Sequence, residues 1–464
     1  MKKYICLLLL TILCFTQEKS VIIEDIPHIQ QKPDFCGEAC VAMYLQNRGI
    51  NMTQDEVFNF SPTKAGLGRG CYTPEFAVAL KNIGFEIGRV WYKAPSPNYQ
   101  KGVKEQWKQL YKDLLKGIPS VVCMHYSDRP NTTEHFRLIC GYDAVTKEII
   151  YHEPAVANGS YQKMKLKLFL KLWPLKYKLA NWTLIRIPLN IDLKNVKRFK
   201  TTERFTKADY AQHIMRTKKI LPHKNFTIMV QKPFVVIGDE DSRVVHSRAQ
   251  RTIKWSVDLL KKDYFNNDPD HIINIWLFKN KSSYVKNTYK LFGKKPHTPF
   301  GYYSYKNKAL VMNISTGGGT LVHEIVHPFV ASNFSQCPSW FNEGLASLYE
   351  QCREKNEQIY GLTNWRLKGL KRAIIAKKVP SFKTLTSTST YEFYNEDPGT
   401  NYSQGRYLCY YLQHKKLLRK FYHSFAKNYR QDPTGYKTLQ AVLQTTDMQK
   451  FKKDWQKFVL QLKF

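Results

Sequence analysis

His323-Glu324-Ile325-Val326-His327, with Trp340-Phe341-Asn342-Glu343-Gly344-Leu345-Ala346 downstream, constrains this chain more than any other stretch. Residues four apart lie on one face of a helix, so His323 and His327 direct imidazole nitrogens at one point. A catalytic zinc site needs a third protein ligand and an open fourth position, and Glu343 on a following helix can supply that ligand. Glu324, beside the first histidine, is placed to take a proton from a water activated by the ion. Leu321, Val322, Ile325, Val326, Phe329 and Val330 make the carrier segment apolar, as a buried helix requires. The local pattern predicts one Zn2+ ion on His323, His327 and Glu343, with Glu324 as general base.

This stretch resembles the gluzincin metallopeptidases, the MA-like group in which HExxH is followed by a Trp-containing NEGxA helix. The resemblance runs from about Pro233 to the C-terminus and implies a zinc metallopeptidase domain over 233–464, a mixed sheet followed by a helical subdomain. Phe234-Val235-Val236-Ile237 and residues 272–278 read as strands, and residues 249–264 as an amphipathic helix. Ala309-Leu310-Val311-Met312-Asn313 reads as the edge strand, which gluzincins use to hold an extended peptide by backbone hydrogen bonds. Gly317-Gly318-Gly319 lacks the Lys-Ser/Thr of a phosphate loop and reads as a flexible lead into the helix. In these peptidases a helix after the NEGxA segment starts with Tyr. Tyr402 is thus the expected hydrogen-bond donor to the oxyanion, and Tyr407 its rival.

A second constellation lies near the other end. Asp34-Phe35-Cys36-Gly37-Glu38-Ala39-Cys40 opens an apolar helical run, and a Cys at a helix N-terminus has its thiolate favoured by unpaired N–H groups. Gln30 lies six residues earlier. His135-Phe136-Arg137-Leu138-Ile139-Cys140-Gly141-Tyr142-Asp143 and Ile149-Ile150-Tyr151-His152-Glu153-Pro154 read as two strands joined by a turn at Val145-Thr146-Lys147. That hairpin sets His135 beside Glu153, giving a thiol nucleophile, an imidazole base and an orienting acid.

This portion, residues 21–189, resembles the C39 and C39-like cysteine peptidases, which have a papain-type fold and motifs of the form Q-x5-C-G-x-A-C, H-F-x-x-x-x-G-Y-D and D-P. The resemblance implies that Gln30 helps form the oxyanion hole, Cys36 attacks, His135 is the base and Glu153 orients it. Glu153 stands where the family usually has Asp, and His152 is its immediate neighbour.

The expected architecture is α+β: a papain-like C39-type domain, a boundary region over 190–232 and a gluzincin-type domain. Met1-Lys2-Lys3 and the apolar run to Phe15 read as a signal peptide, residues 1–17, too short to span a bilayer. A secreted or extracytoplasmic protein follows, a lipid anchor on Cys14 being disfavoured by the bulk of Leu13. Export permits disulfides among the eight remaining cysteines without demanding them. Cys337 and Cys352 look like a pair, but a helix between them would hold them too far apart to bridge. Cys123 and Cys140 read as neighbours in one sheet or as reduced core residues.

The chain carries 72 Lys and Arg against 37 Asp and Glu, a net charge of +35. These charges are scattered, with no nucleic-acid motif, so a specific nucleic-acid partner is not expected. An anionic surface or acidic substrate is. The expected substrate is a peptide or protein. Two alternatives stand beside the two-site peptidase: a metallopeptidase whose C39-like domain only grips peptides, and a non-catalytic basic protein that holds anionic polymer or lipid.

Overall fold

The computed structural model describes residues 18–464; the expected signal segment, with Cys6 and Cys14, lies outside the described residues. The chain divides into two compact units, Met1–Met215 and Arg216–Phe464. That division falls inside the helix Lys207–Lys219, within the stretch read from sequence as a boundary.

The first unit is built on an eight-stranded sheet. Its main order is Trp91–Pro95, Asn181–Pro188, Ser120–His125, Glu134–Asp143, Glu148–His152, Gln162–Lys165. Side chains alternate across a strand, and the two faces bury separate cores. Val121, Cys123, Phe136, Leu138 and Cys140 meet Ala39, Cys40 and Met43 of the helix Cys36–Asn47. Val122, Met124 and Ile139 face Val103, Trp107 and Leu110 of the helix Tyr99–Leu114. Cys123 pairs across the ladder with Phe136, four residues short of Cys140. At about 3.3 Å per residue that offset is roughly 13 Å, beyond disulfide reach.

The second unit carries a five-stranded sheet ordered Gly301–Ser304, Ala309–Asn313, Ile273–Phe278, Phe234–Gly238, Thr227–Gln231. The three central strands are parallel and the two outer ones antiparallel. Ala309–Asn313 is therefore not the edge strand expected from sequence. Gly301–Ser304 lies outside it, with Tyr302 opposite Val311. All five residues of Ala309–Asn313 are buried, as an interior strand requires. The opposite edge, Thr227–Gln231, comes from residues assigned to the boundary. The expected helix over 249–264 begins earlier, at Ser242, capped by the Asp241 carboxylate, and includes a π-helical stretch Ala249–Lys254.

Helices make up most of the remainder. Gly318–Asn333 is buried on nearly every side, and Ser339–Leu348 follows it. The helix Pro398–His414 crosses the latter at two glycines. A Cβ on Gly344 would meet the Gly405 carbonyl oxygen at 2.9 Å, and one on Gly405 would meet that of Trp340 at 2.9 Å. The glycine after Glu343 is thus what lets the two helices approach. Among the described residues no helix is long and apolar enough to cross a membrane. All eight described cysteines are free, Cys337 and Cys352 included, as the helix between them dictates.

Candidate active sites

His323, Glu324 and His327 lie on the Gly318–Asn333 helix with Glu343 facing them from Ser339–Leu348, and all four are buried. Ligand atoms of His323, His327 and Glu343 lie within 4.8 Å of one another. His323 Nε2 is 3.3 Å from Glu343 Oε2, and His327 Nε2 is 3.9 Å from Oε1. Both rings turn Nε2 toward the Glu343 carboxylate. His327 Nδ1 meets Asn342 Oδ1 at 3.0 Å, and His323 Nδ1 faces Glu350 Oε1 at 3.4 Å. Glu350 is itself fixed by Arg366, at 2.7 and 3.0 Å, and by Asn364 at 2.9 Å. Outer partners of this kind set the tautomer and aim of metal-ligating imidazoles.

Burial disfavours the His323 cation, yet Glu343 and Glu350 outweigh it and carry the ring up to about 10. Burial likewise opposes ionisation of Glu343, but His327 and His323 draw it down to about 2. Glu343 Oε2 is buried and accepts no hydrogen bond. Two imidazoles and one carboxylate, one of whose oxygens is unpartnered, form a donor set suited to a metal ion. Glu324 Oε2 accepts the Tyr303 N–H at 2.9 Å, which ties the expected base to the edge strand.

The tyrosines separate clearly. Tyr407 is fully buried and its hydroxyl is committed to hydrogen bonds with the Asn364 backbone. Tyr402 is half-buried near the carboxylates; burial, then Glu343, hold its phenol protonated well above the usual range. Tyr394, missed in the sequence, donates to Glu343 Oε1 at 2.6 Å. No local spacing marks it, because it reaches the site from 51 residues away. Glu350 had a signal: it follows Glu343 by seven residues, close to two helical turns.

In the first unit Cys36 is the first residue of its helix, as expected. The amide of Phe136, the residue after His135, points at its sulfur. His135 Nε2 donates to Glu153 Oε1 at 2.5 Å, so Nδ1 is left for other work. Glu153 also accepts from Arg137 Nε at 2.7 Å and from the Ala155 N–H at 3.0 Å. Burial raises its carboxyl, but His135 and Arg137 more than reverse this and keep it ionised. His152 turns away from this network. It is fully buried against His28 and Tyr161, neither ring nitrogen has a hydrogen-bond partner among the described residues, and burial lowers it to about 4.

Two expectations shift. Burial pushes the Cys36 thiol up to about 12, with Glu38 and Asp34 adding to it, so the helix start alone does not yield a thiolate. Gln30 is exposed on the preceding loop, which the Gln54 side chain braces by donating to the Gln30 carbonyl at 3.1 Å. Glu38 was not singled out in the sequence. It is buried two residues beyond Cys36, where its Oε1 accepts the Cys71 N–H at 2.9 Å.

Residues 23–181 match the model of the Peptidase_C39 like family, so the first unit contains a Peptidase_C39-like domain. The match includes Gln30, Cys36, His135 and Glu153 and ends well before His323. The comparison with curated proteins found no match to the chain.

Proposed function

We propose that this chain, with its C39-like first unit, is a two-site peptidase whose second unit is a gluzincin-like zinc metallopeptidase. The observation that carries the second site is the buried His323–His327–Glu343 cluster with Asn342 and Glu350 behind the two rings. His323, His327 and Glu343 would hold the zinc ion, which when bound would supply Lewis acidity to a peptide carbonyl and a water. Glu324 takes the proton from that water and passes it to the leaving amine. Tyr402 donates a hydrogen bond to the developing oxyanion, while Tyr394 fixes the Glu343 carboxylate. The strand Gly301–Ser304 takes the role expected of Ala309–Asn313, lying at the sheet edge where an extended peptide would exchange with Glu324 for the Tyr303 N–H.

At the first site Cys36 attacks a peptide carbonyl, and the C–N bond breaks to leave an acyl-enzyme and an amine, which departs with the proton carried by His135. Because the Cys36 thiol rests neutral, His135 takes the proton as the bond forms, and Glu153 stabilises the resulting imidazolium. Gln30 is the side-chain donor assigned to the oxyanion. The same high thiol favours one second reading, in which the C39-like domain only grips peptides; alkylation of Cys36 then leaves total turnover unchanged.

The deciding experiment is Glu324→Gln assayed with chelator and thiol alkylator, separately and together. The variant should lose chelator-sensitive hydrolysis by about 100-fold or more while keeping any alkylation-sensitive cleavage. Chelator-sensitive cleavage at the wild-type rate would sink the assignment. Export rests on the leader alone, since the eight free thiols lend it no support. N-terminal sequencing of the mature chain checks it, a start near Gln17 being the expected result.

A further inference from the structure

Cys36 opens into a cleft of about 380 Å³ whose lining includes Tyr72, Trp91, Tyr177, Asp34 and Glu134. The three large rings stay open to solvent, at 62, 41 and 54 % exposure, although most aromatic area in this unit is buried. Exposed aromatics gathered around one cavity mark a surface kept for a ligand.

The charge of the cleft runs against that of the molecule. The chain has a net charge of +35, yet the ionisable side chains lining the cleft besides its thiols and tyrosines are two carboxylates. Neither Asp34 nor Glu134 has an ion-pair partner among the described residues. Glu134 accepts the Tyr177 hydroxyl at 2.7 Å through Oε2, which joins carboxylate and ring into one wall. Two neighbouring bases are committed elsewhere. Arg69 lies over the Tyr72 ring but is held bidentately by Glu75 at 2.7 and 2.8 Å, and Lys176 turns to the Trp182 ring.

We infer that this cleft receives a lysine or arginine side chain of a peptide whose backbone crosses Cys36. The inference rests on the thiol-peptidase reading of the site and adds its substrate class. A cation there gains the Glu134 carboxylate at its end and aromatic faces along its stem. An apolar side chain would cover the carboxylates without pairing them, and an acidic one would be repelled. A bound cation also opposes the rise that Glu38 and Asp34 add to the Cys36 thiol, so the correct substrate eases the attack on itself.

Calorimetric binding to the full chain carrying Cys36→Ala tests this without turnover. Three hexapeptides differ only at one position: lysine, norleucine or glutamate. Lysine should bind about tenfold tighter than norleucine, the scale of a partly exposed ion pair with cation–π support. Glu134→Gln should erase that gap, and Glu134→Lys should turn the preference toward glutamate. Equal affinity for lysine and norleucine, or a lysine preference that survives Glu134→Gln, would overturn the inference. Hydrolysis of the lysine peptide by the Cys36 chain in chelator is scored separately. Selective binding without alkylation-sensitive hydrolysis keeps the cleft assignment and removes the thiol chemistry; hydrolysis without selectivity does the reverse.

Discussion

Glu38 is the residue at which burial and charge conflict most openly. It is 1 % exposed, and burial pushes its carboxyl up to about 7, although the Cys71 contacts pull the other way. A folded-state value above the unfolded one means that the native chain binds the extra proton between the two. Stability from this group is therefore complete below about pH 4.5 and is lost as pH rises toward 7. A shift of that size corresponds to about 3 kcal/mol. Glu38→Gln keeps an oxygen for the Cys71 N–H and removes the titration. The variant should match wild type near pH 4 and be more stable at pH 8, read from denaturant midpoints at both values. A stability difference that does not change with pH would show that Glu38 is not neutral in the fold.

The elements were legible where the pattern is local. The strands Phe234–Gly238 and Ile273–Phe278 stand out as short apolar runs, and the helix Gly318–Asn333 as a buried one, because both faces of each are covered. The strands Gly301–Ser304 and Thr227–Gln231 escaped notice since each is short and half-covered, with a polar residue at one or both ends. Among the candidate residues, the grouping of His323, His327 and Glu343, the pairing of His135 with Glu153 and the place of Cys36 at a helix start were readable from spacing. Tyr394 and the acidic cleft were not, because only the fold brings those parts of the chain together. Gly319 is a contact point and not a flexible lead. A Cβ there would stand 2.0 Å from the Glu350 carbonyl oxygen, whereas one on Gly318 would meet only Thr252, at 3.4 Å. Gly319→Ala must push the helix from the residue that backs His323, at about 1–3 kcal/mol. It should lower both the denaturant midpoint and the affinity for zinc, and Gly318→Ala should alter neither by much. Equal behaviour of the two variants would mean that the helix start is soft.

Over the whole molecule, the +35 charge acts with a different logic from either site. The buried arginines have partners: Arg137 with Glu153, Arg186 with Asp113 and Arg406 with the carbonyls of Ser347 and Leu348. Most of the rest are lysines spread along the chain, without the single stripe that nucleic-acid readers present. Dispersed charge attracts an anionic surface without fixing an orientation, so its strength depends on screening and not on the geometry of any one residue. The Debye length falls from roughly 14 Å at 0.05 M salt to roughly 4 Å at 0.5 M. Sedimentation with vesicles containing anionic lipid should show strong binding at the lower salt and at least a tenfold loss at the higher, with none to zwitterionic vesicles. Chelator and Glu343→Gln should leave that binding unchanged, because the metal cluster contributes little to so large a net charge. Retention at high salt, or dependence on zinc, would instead place the contact at a built site and remove the case for a diffuse one.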